Sequence, residues 1–201
     1  MGRGGVSDDD AAAVVRAAAT VFAARPYAEV RLEDVADAAG LTVEDVVARV
    51  GDLHDVGAAV LTAEGGSMRA AMAAARAASD DPLEVLATSF RLVGENLATR
   101  VEVRAGVRLA AESHHHFPER RIDPYRTWRA FVLAQLTEAD ARGLLRPGVD
   151  VEAVAWLLVS AGMGTKGLLE FRDAWDEAPG RLGGVATTVL GLVAAQPSTS
   201  A

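Results

Sequence analysis

Residues 31 to 56 read RLEDVADAAGLTVEDVVARVGDLHDV, and the spacing of their apolar positions describes a short helix, a tight turn and a second short helix. Leu32, Val35, Ala36 and Ala39 recur at i, i+3, i+4 and i+7, the period of one helical face. Gly40 follows as a residue that tolerates the left-handed conformation ending a helix. Thr42 can then cap the next helix, with Asp45 three residues on as the acidic half of a capping box. Val43, Val46, Val47 and Val50 repeat the same apolar spacing. The pattern is a helix-turn-helix, and it predicts either a DNA-reading head or simply two packed helices.

Outward from this stretch, the spacing predicts helices everywhere and no sustained strand alternation, so the expected fold is all-α. A first helix is predicted over 8–24, with Val14, Ala18, Val21 and Phe22 on one side. A longer helix over 53–77 carries Val56, Val60, Met68 and Met72, with Gly65-Gly66 as a place to bend. Asp81-Pro82 opens another helix with the stripe Leu83, Leu86, Phe90, Val93 and Leu97. Residues 101–111 are expected as a helix, and Ser113 to Pro118, with its three adjacent His, as a loop. Adjacent loop residues point in different directions, so no metal site is expected there. Pro124 opens a helix to about 142. Asp150 caps one over 151–169, and the last spans 180–195. The Pro, Ser and Thr of 196–201 and the small polar residues 1–7 suggest disordered ends.

At 201 residues the chain can bury roughly 70% of its unfolded surface. It has no Cys, which suits a cytoplasmic location and excludes disulfides and thiolate metal ligation. No window reaches the length of apolar sequence that crosses a bilayer, and no apolar leader is expected. No nucleophile with a base, and no metal-ligand set, stands out, so the expectation is a protein that is not an enzyme and holds no cofactor.

The stretch Ala36-Asp-Ala-Ala39-Gly40-Leu41-Thr42, with the helix over 8–24 and Tyr27 behind it, resembles the DNA-binding head of the TetR family of repressors. The resemblance implies a head of three short helices over 1–52, a helical ligand-binding and dimerisation domain over 53–195, and a tail over 196–201. It also implies a recognition surface of Arg31, Thr42, Val43, Glu44, Val47 and Arg49. At two positions this chain departs from the family, which usually has Tyr at Val47 and Lys at Leu53, both reaching phosphates. Residues 1–60 hold five Arg, no Lys and eleven Asp or Glu, a net charge of −6 that opposes DNA affinity.

Three polar side chains fall on otherwise apolar stripes: Glu64, Trp128 and Thr165. Polar handles among apolar walls describe a ligand pocket. Equally, Trp128 can be a packing residue and Thr165 can bond back to its own helix. Val103 to Ala110, Pro124 to Trp128, and Ala139 through Gly164-Thr165 are similar to the ligand domain of the γ-butyrolactone receptors of actinomycetes. That resemblance implies a small-molecule effector held by Trp128 and Thr165, with Glu64 in place of the subfamily's Gln. It further implies a homodimer closed by residues 151–169 and 180–195. The alternative is a receptor-like protein that sequesters a signal or pairs with a related receptor without binding DNA itself.

Overall fold

A computed structural model describes residues 8–196; the expected disorder of 1–7 and of the tail beyond Gln196 lies outside the described residues. Within them the chain is helical throughout, with an isolated antiparallel bridge between Leu145 and Ala194 in place of any strand. The helices are α1 (Asp8–Ala24), α2 (Leu32–Ala39), α3 (Val43–Arg49), α4 (Leu53–Ala78), α5 (Pro82–Thr99), α6 (Val101–His116), α7 (Pro124–Ala141), α8 (Val151–Arg172) and α9 (Ala178–Val193). They divide into two compact units. One takes residues up to Met68 together with Arg100–Ile122, the other Arg69–Thr99 with everything from Asp123. The first unit is therefore larger than a head of residues 1–52, since it also includes the start of α4 and all of α6.

The first unit closes around Val14, Ala18, Phe22, Val35, Val46, Val56, Val60, Leu109 and Phe117. Phe22, Leu109 and Phe117 are fully enclosed, and each such burial contributes about 1.5–3 kcal/mol. Phe117 sits in this core because Gly57 leaves room for it: a Cβ there would come within 2.7 Å of the Phe117 Cζ. α6 therefore continues through His116, where a loop was expected from Ser113 onward. Two interactions override the polar composition. The Ser113 hydroxyl donates to the Ala110 carbonyl, and the Phe117 amide donates to the Ser113 carbonyl at 2.7 Å while its ring goes into the core. The three His thus occupy the last turn of a helix, where positive charge is favoured.

α4 runs unbroken through Gly65-Gly66, so the bend expected there does not interrupt the helix. In the second unit α5 packs along α9, and the two come close at Gly94, where a Cβ would meet the Ala178 carbonyl oxygen at 2.4 Å. Leu86, Leu97, Val132, Leu136, Leu158, Leu182 and Leu190 fill the interior. Asp123 and Asp150 cap α7 and α8 by accepting from Arg126 N and Ala153 N. Among the described residues no helix is long and apolar enough to cross a membrane.

Candidate functional site

The turn between α2 and α3 is built as the residues require. Gly40 adopts φ +65°, and Leu41 N donates to the Ala36 carbonyl at 2.9 Å, satisfying the end of α2. Thr42 Oγ1 accepts from Asp45 N at 3.1 Å and donates to Asp45 Oδ2 at 3.0 Å, the capping box that starts α3. Such a cap contributes about 1 kcal/mol. These bonds from Thr42, with Arg49 nearby, hold the Asp45 carboxyl below the usual carboxylate range. Asp34 is lowered in the same way, first by the Arg31 backbone N–H and then by Arg25.

Val46 points into the core, whereas Val47, expected on the same apolar stripe, is 48% exposed. Thr42, Glu44 and Arg31 are also exposed, and Val43 is half-buried. Arg49 is folded back: its Nη1 donates to the Asp45 carbonyl at 3.1 Å and lies 3.3 Å from Asp45 Oδ1. Arg25 is likewise engaged, 3.2 Å from Asp34. Leu53, at the first position of α4, is half-buried against the head's core.

Sequence spacing did not reveal how the end of α6 grips this head. Glu112 Oε2 accepts from Tyr27 N at 3.0 Å, and the Tyr27 ring meets His116 at 4.8 Å and Phe117 at 5.0 Å. Burial, with the charge of Asp52 second, raises the Tyr27 phenol's pKa. Asp52, His54 and Asp55 bring ligand-type atoms within 4.8 Å of one another. Both carboxylates already accept backbone N–H groups at the start of α4, and His54 Nε2 lies 3.2 Å from Glu119, so the cluster is accounted for as a helix cap.

Of the three expected ligand-binding residues, Glu64 belongs to the first unit, and Trp128 and Thr165 to the second. Glu64 is half-buried opposite Gly106 of α6, where any Cβ would lie 2.2 Å from its own. Trp128 is half-buried, edge-on to Phe90 and to Phe131, each at 5.8 Å. Phe90 in turn sits against Gly162, where an added Cβ would lie 3.0 Å from the Phe90 Cε1; Thr165 lies one turn further along α8. Phe90 thus bridges from Trp128 to the segment of α8 that carries Thr165. Thr165 does not bond back to its own helix, as Thr187 does to Gly183. An open groove of about 320 Å³ between α5 and α9, lined by Thr88, Arg91, Gly180 and Thr187 among others, includes neither Trp128 nor Thr165.

Near Trp128, the Tyr125 hydroxyl oxygen is enclosed and has no hydrogen-bond partner among the described residues. An unmet buried donor costs about 1–3 kcal/mol. Its position in the first turn of α7 gave only an apolar register in sequence, because the enclosure comes from other helices. The outer surface of α8 leaves Trp156, Leu157, Leu168 and Phe171 exposed, and α9 leaves Leu192. Val189, on the apolar stripe of α9, faces inward at 9% exposure.

No protein-family model and no curated protein matches the sequence. Solved structures do match over nearly the whole chain. One, described as the molecular basis for control of antibiotic production by bacterial hormones, is 25% identical with a TM-score of 0.77. It covers 94% of this chain and 100% of its own. The TetR family protein CprB from S. coelicolor A3(2) is 24% identical with a TM-score of 0.73, over 94% of this chain and 90% of that one. A γ-butyrolactone receptor described as ArpA-like is 22% identical with a TM-score of 0.71, over 90% and 96%. The chain therefore has the fold of the TetR-family regulators, γ-butyrolactone receptors among them.

Proposed function

We propose that this protein is a ligand-responsive transcriptional regulator of TetR type, a repressor that meets DNA through α2 and α3 and loses operator affinity when a small molecule occupies its second unit. The observation that carries this reading is the α2-turn-α3 unit, with Gly40 in the left-handed region, the Thr42–Asp45 box and Val46 turned inward. Arg31, Thr42, Val43, Glu44, Val47 and Arg49 form the proposed DNA-facing set. Functionally, residues 1–52 act as the head, and 53–195 bind effector and dimerise. Trp128 and Thr165 are the proposed effector residues, supported by the Phe90 bridge; Glu64 joins them from its place on an apolar stripe, at a position where the subfamily has Gln. A butyrolactone-like effector is supported by the neighbour described as a γ-butyrolactone receptor. The exposed apolar face of α8 and α9 supports a homodimer; the regulator so proposed works in the cytoplasm, without catalysis or cofactor.

A second reading, a signal-sequestering or heterodimerising receptor without DNA binding of its own, is favoured by one observation. The recognition helix presents a valine at its centre and an arginine bound to its own Asp45. A gel shift with DNA from upstream of the coding sequence, with and without a 2-acyl-γ-butyrolactone, separates the two. Repression requires a retarded, sequence-specific band that the lactone releases. Lactone binding with no retarded band even at low salt would favour sequestration instead.

A further inference from the structure

We propose that the outward face of α3 reads a cytosine amino group and a thymine methyl on neighbouring base pairs and lacks a side-chain donor for guanine, so each operator half-site carries a C·G pair beside a T·A pair. This deepens the DNA-binding reading above and rests on it. Glu44, Val47 and Ala48 stand at i, i+3 and i+4 and are the exposed residues of the helix, Val47 at 48%. Val46 is buried in the core of the first unit, which turns that face outward, where a recognition helix meets the major groove. The face therefore offers one carboxylate, one isopropyl group and one methyl.

Guanine shows two acceptors in that groove, N7 and O6, and is read by side-chain donors. Those of α3 and its cap are already engaged. Thr42 Oγ1 gives its one proton to Asp45 Oδ2 at 3.0 Å, and Arg49 Nη1 donates to the Asp45 carbonyl at 3.1 Å. Glu44, in contrast, has no hydrogen-bond or ion-pair partner among the described residues, and an ionised carboxylate only accepts. The cytosine N4 amino group is its match. Adenine also carries an amino group, but beside its own N7, an acceptor that repels a carboxylate. Val47 is too short for the phosphate contact of a tyrosine and, with Ala48, suits the thymine C5 methyl. Side chains at i and i+3 stand about 5–6 Å apart at Cβ, and base pairs stack at roughly 3.4 Å, so the two contacts fall on neighbouring pairs. At other base edges the carboxylate faces acceptors, and repulsion rejects the sequence.

Selection from a pool of random DNA duplexes at low salt, with the full chain and with Glu44→Gln, tests the cytosine contact. The parent should enrich a motif with C beside T, and the variant should change that C to A, because an amide pairs with adenine N6 and N7 together. Titrating the parent's motif with deoxyuridine in place of the thymine then tests the methyl. The parent should bind the uracil duplex about fourfold more weakly, the worth of one methyl taken from water, and Val47→Ser should bind both duplexes alike. Both substituted residues are exposed, so circular dichroism of the variants should match the parent's. An unchanged motif for Glu44→Gln overturns the proposal, even if overall affinity rises through the lost charge. Equal binding of the thymine and uracil duplexes by the parent overturns it too. A pool that yields no motif for the parent at low salt defeats the repressor reading itself, and this inference with it.

Discussion

Arg49 lies one helical turn from Asp45 and is bound to it twice, at 3.3 Å to the carboxylate and 3.1 Å to the backbone carbonyl, so the single cation of α3 is turned onto its own helix. An exposed i, i+4 pair of this kind is weak and screened by solvent, and a DNA phosphate can compete for the guanidinium. The exposed residues of α3 are then Glu44, Val47 and Ala48, with no cation among them.

Replacing that carboxylate should free the arginine. Asp45→Asn keeps an oxygen for the cap while removing one negative charge, so nonspecific DNA binding at low salt should strengthen several-fold with helicity unchanged. Fluorescence anisotropy with a labelled random duplex measures it, and unchanged affinity would mean that Arg49 is not held back by Asp45.

The double change Val47→Tyr with Leu53→Lys should restore two phosphate contacts per subunit. Across a dimer, four contacts at about −0.9 each steepen the slope of log K against log salt by roughly 3.6. Leu53 is half-buried, and a lysine stem can cover the same apolar surface, so melting should change little. Titrations at several salt concentrations give the slope; a slope equal to the parent's would show that these positions do not face the duplex.

Pairing should depend on the exposed face of α8 and not on the inward-facing stripe of α9. Phe171 is 90% exposed and Leu168 65%, so Phe171→Asp should yield a folded monomer by light scattering at micromolar concentration. Val189→Asp, by contrast, places a charge in the core of the second unit and should lower the melting temperature by several degrees before it alters assembly.

Acid should loosen the head through its caps. Asp34 and Asp45 have lowered folded pKa values, so the stability they add is fully present above their unfolded pKa of about 3.9 and is lost as pH falls through the folded values. Asp45→Asn should flatten the decline of head stability below about pH 4, followed by hydrogen exchange of α2 and α3 amides. A decline as steep as the parent's would place the acid sensitivity elsewhere.

Gly94→Ala should be costly although it adds one methyl. Its Cβ would come 2.4 Å from the Ala178 carbonyl oxygen, a backbone atom that moves only with α9. Overpacking of this sort costs about 1–3 kcal/mol. Differential scanning calorimetry should show a clear fall in melting temperature, whereas Gly184→Ala, with nothing within 4 Å, should leave it unchanged or raise it.

The helical pattern was legible because each helix carries its own apolar stripe and most carry their own stop and start signals: Gly40, Thr42, Asp81-Pro82, Asp150. The head was legible for the same reason, since its turn is a local matter of backbone conformation and capping. The extension of α6 to His116 was not, because Phe117 is drawn into a core made by α1 and α4, and that gain outweighs a polar run with weak helix preference. Glu64 and Trp128 were visible as polar residues on apolar stripes, while the unpaired hydroxyl of Tyr125 was not.

By itself, then, the sequence determined the all-α class, the position of the helix-turn-helix and the shortage of cations on it, because periodicity, capping and charge act over a few neighbouring residues. Only tertiary structure decided that Val47 faces out while Val46 faces in, that Val189 is core and Phe171 surface, and that Tyr125 loses both water and partner. Those outcomes depend on which residues from distant parts of the chain come to rest against each side chain, and burial is a property of that assembly.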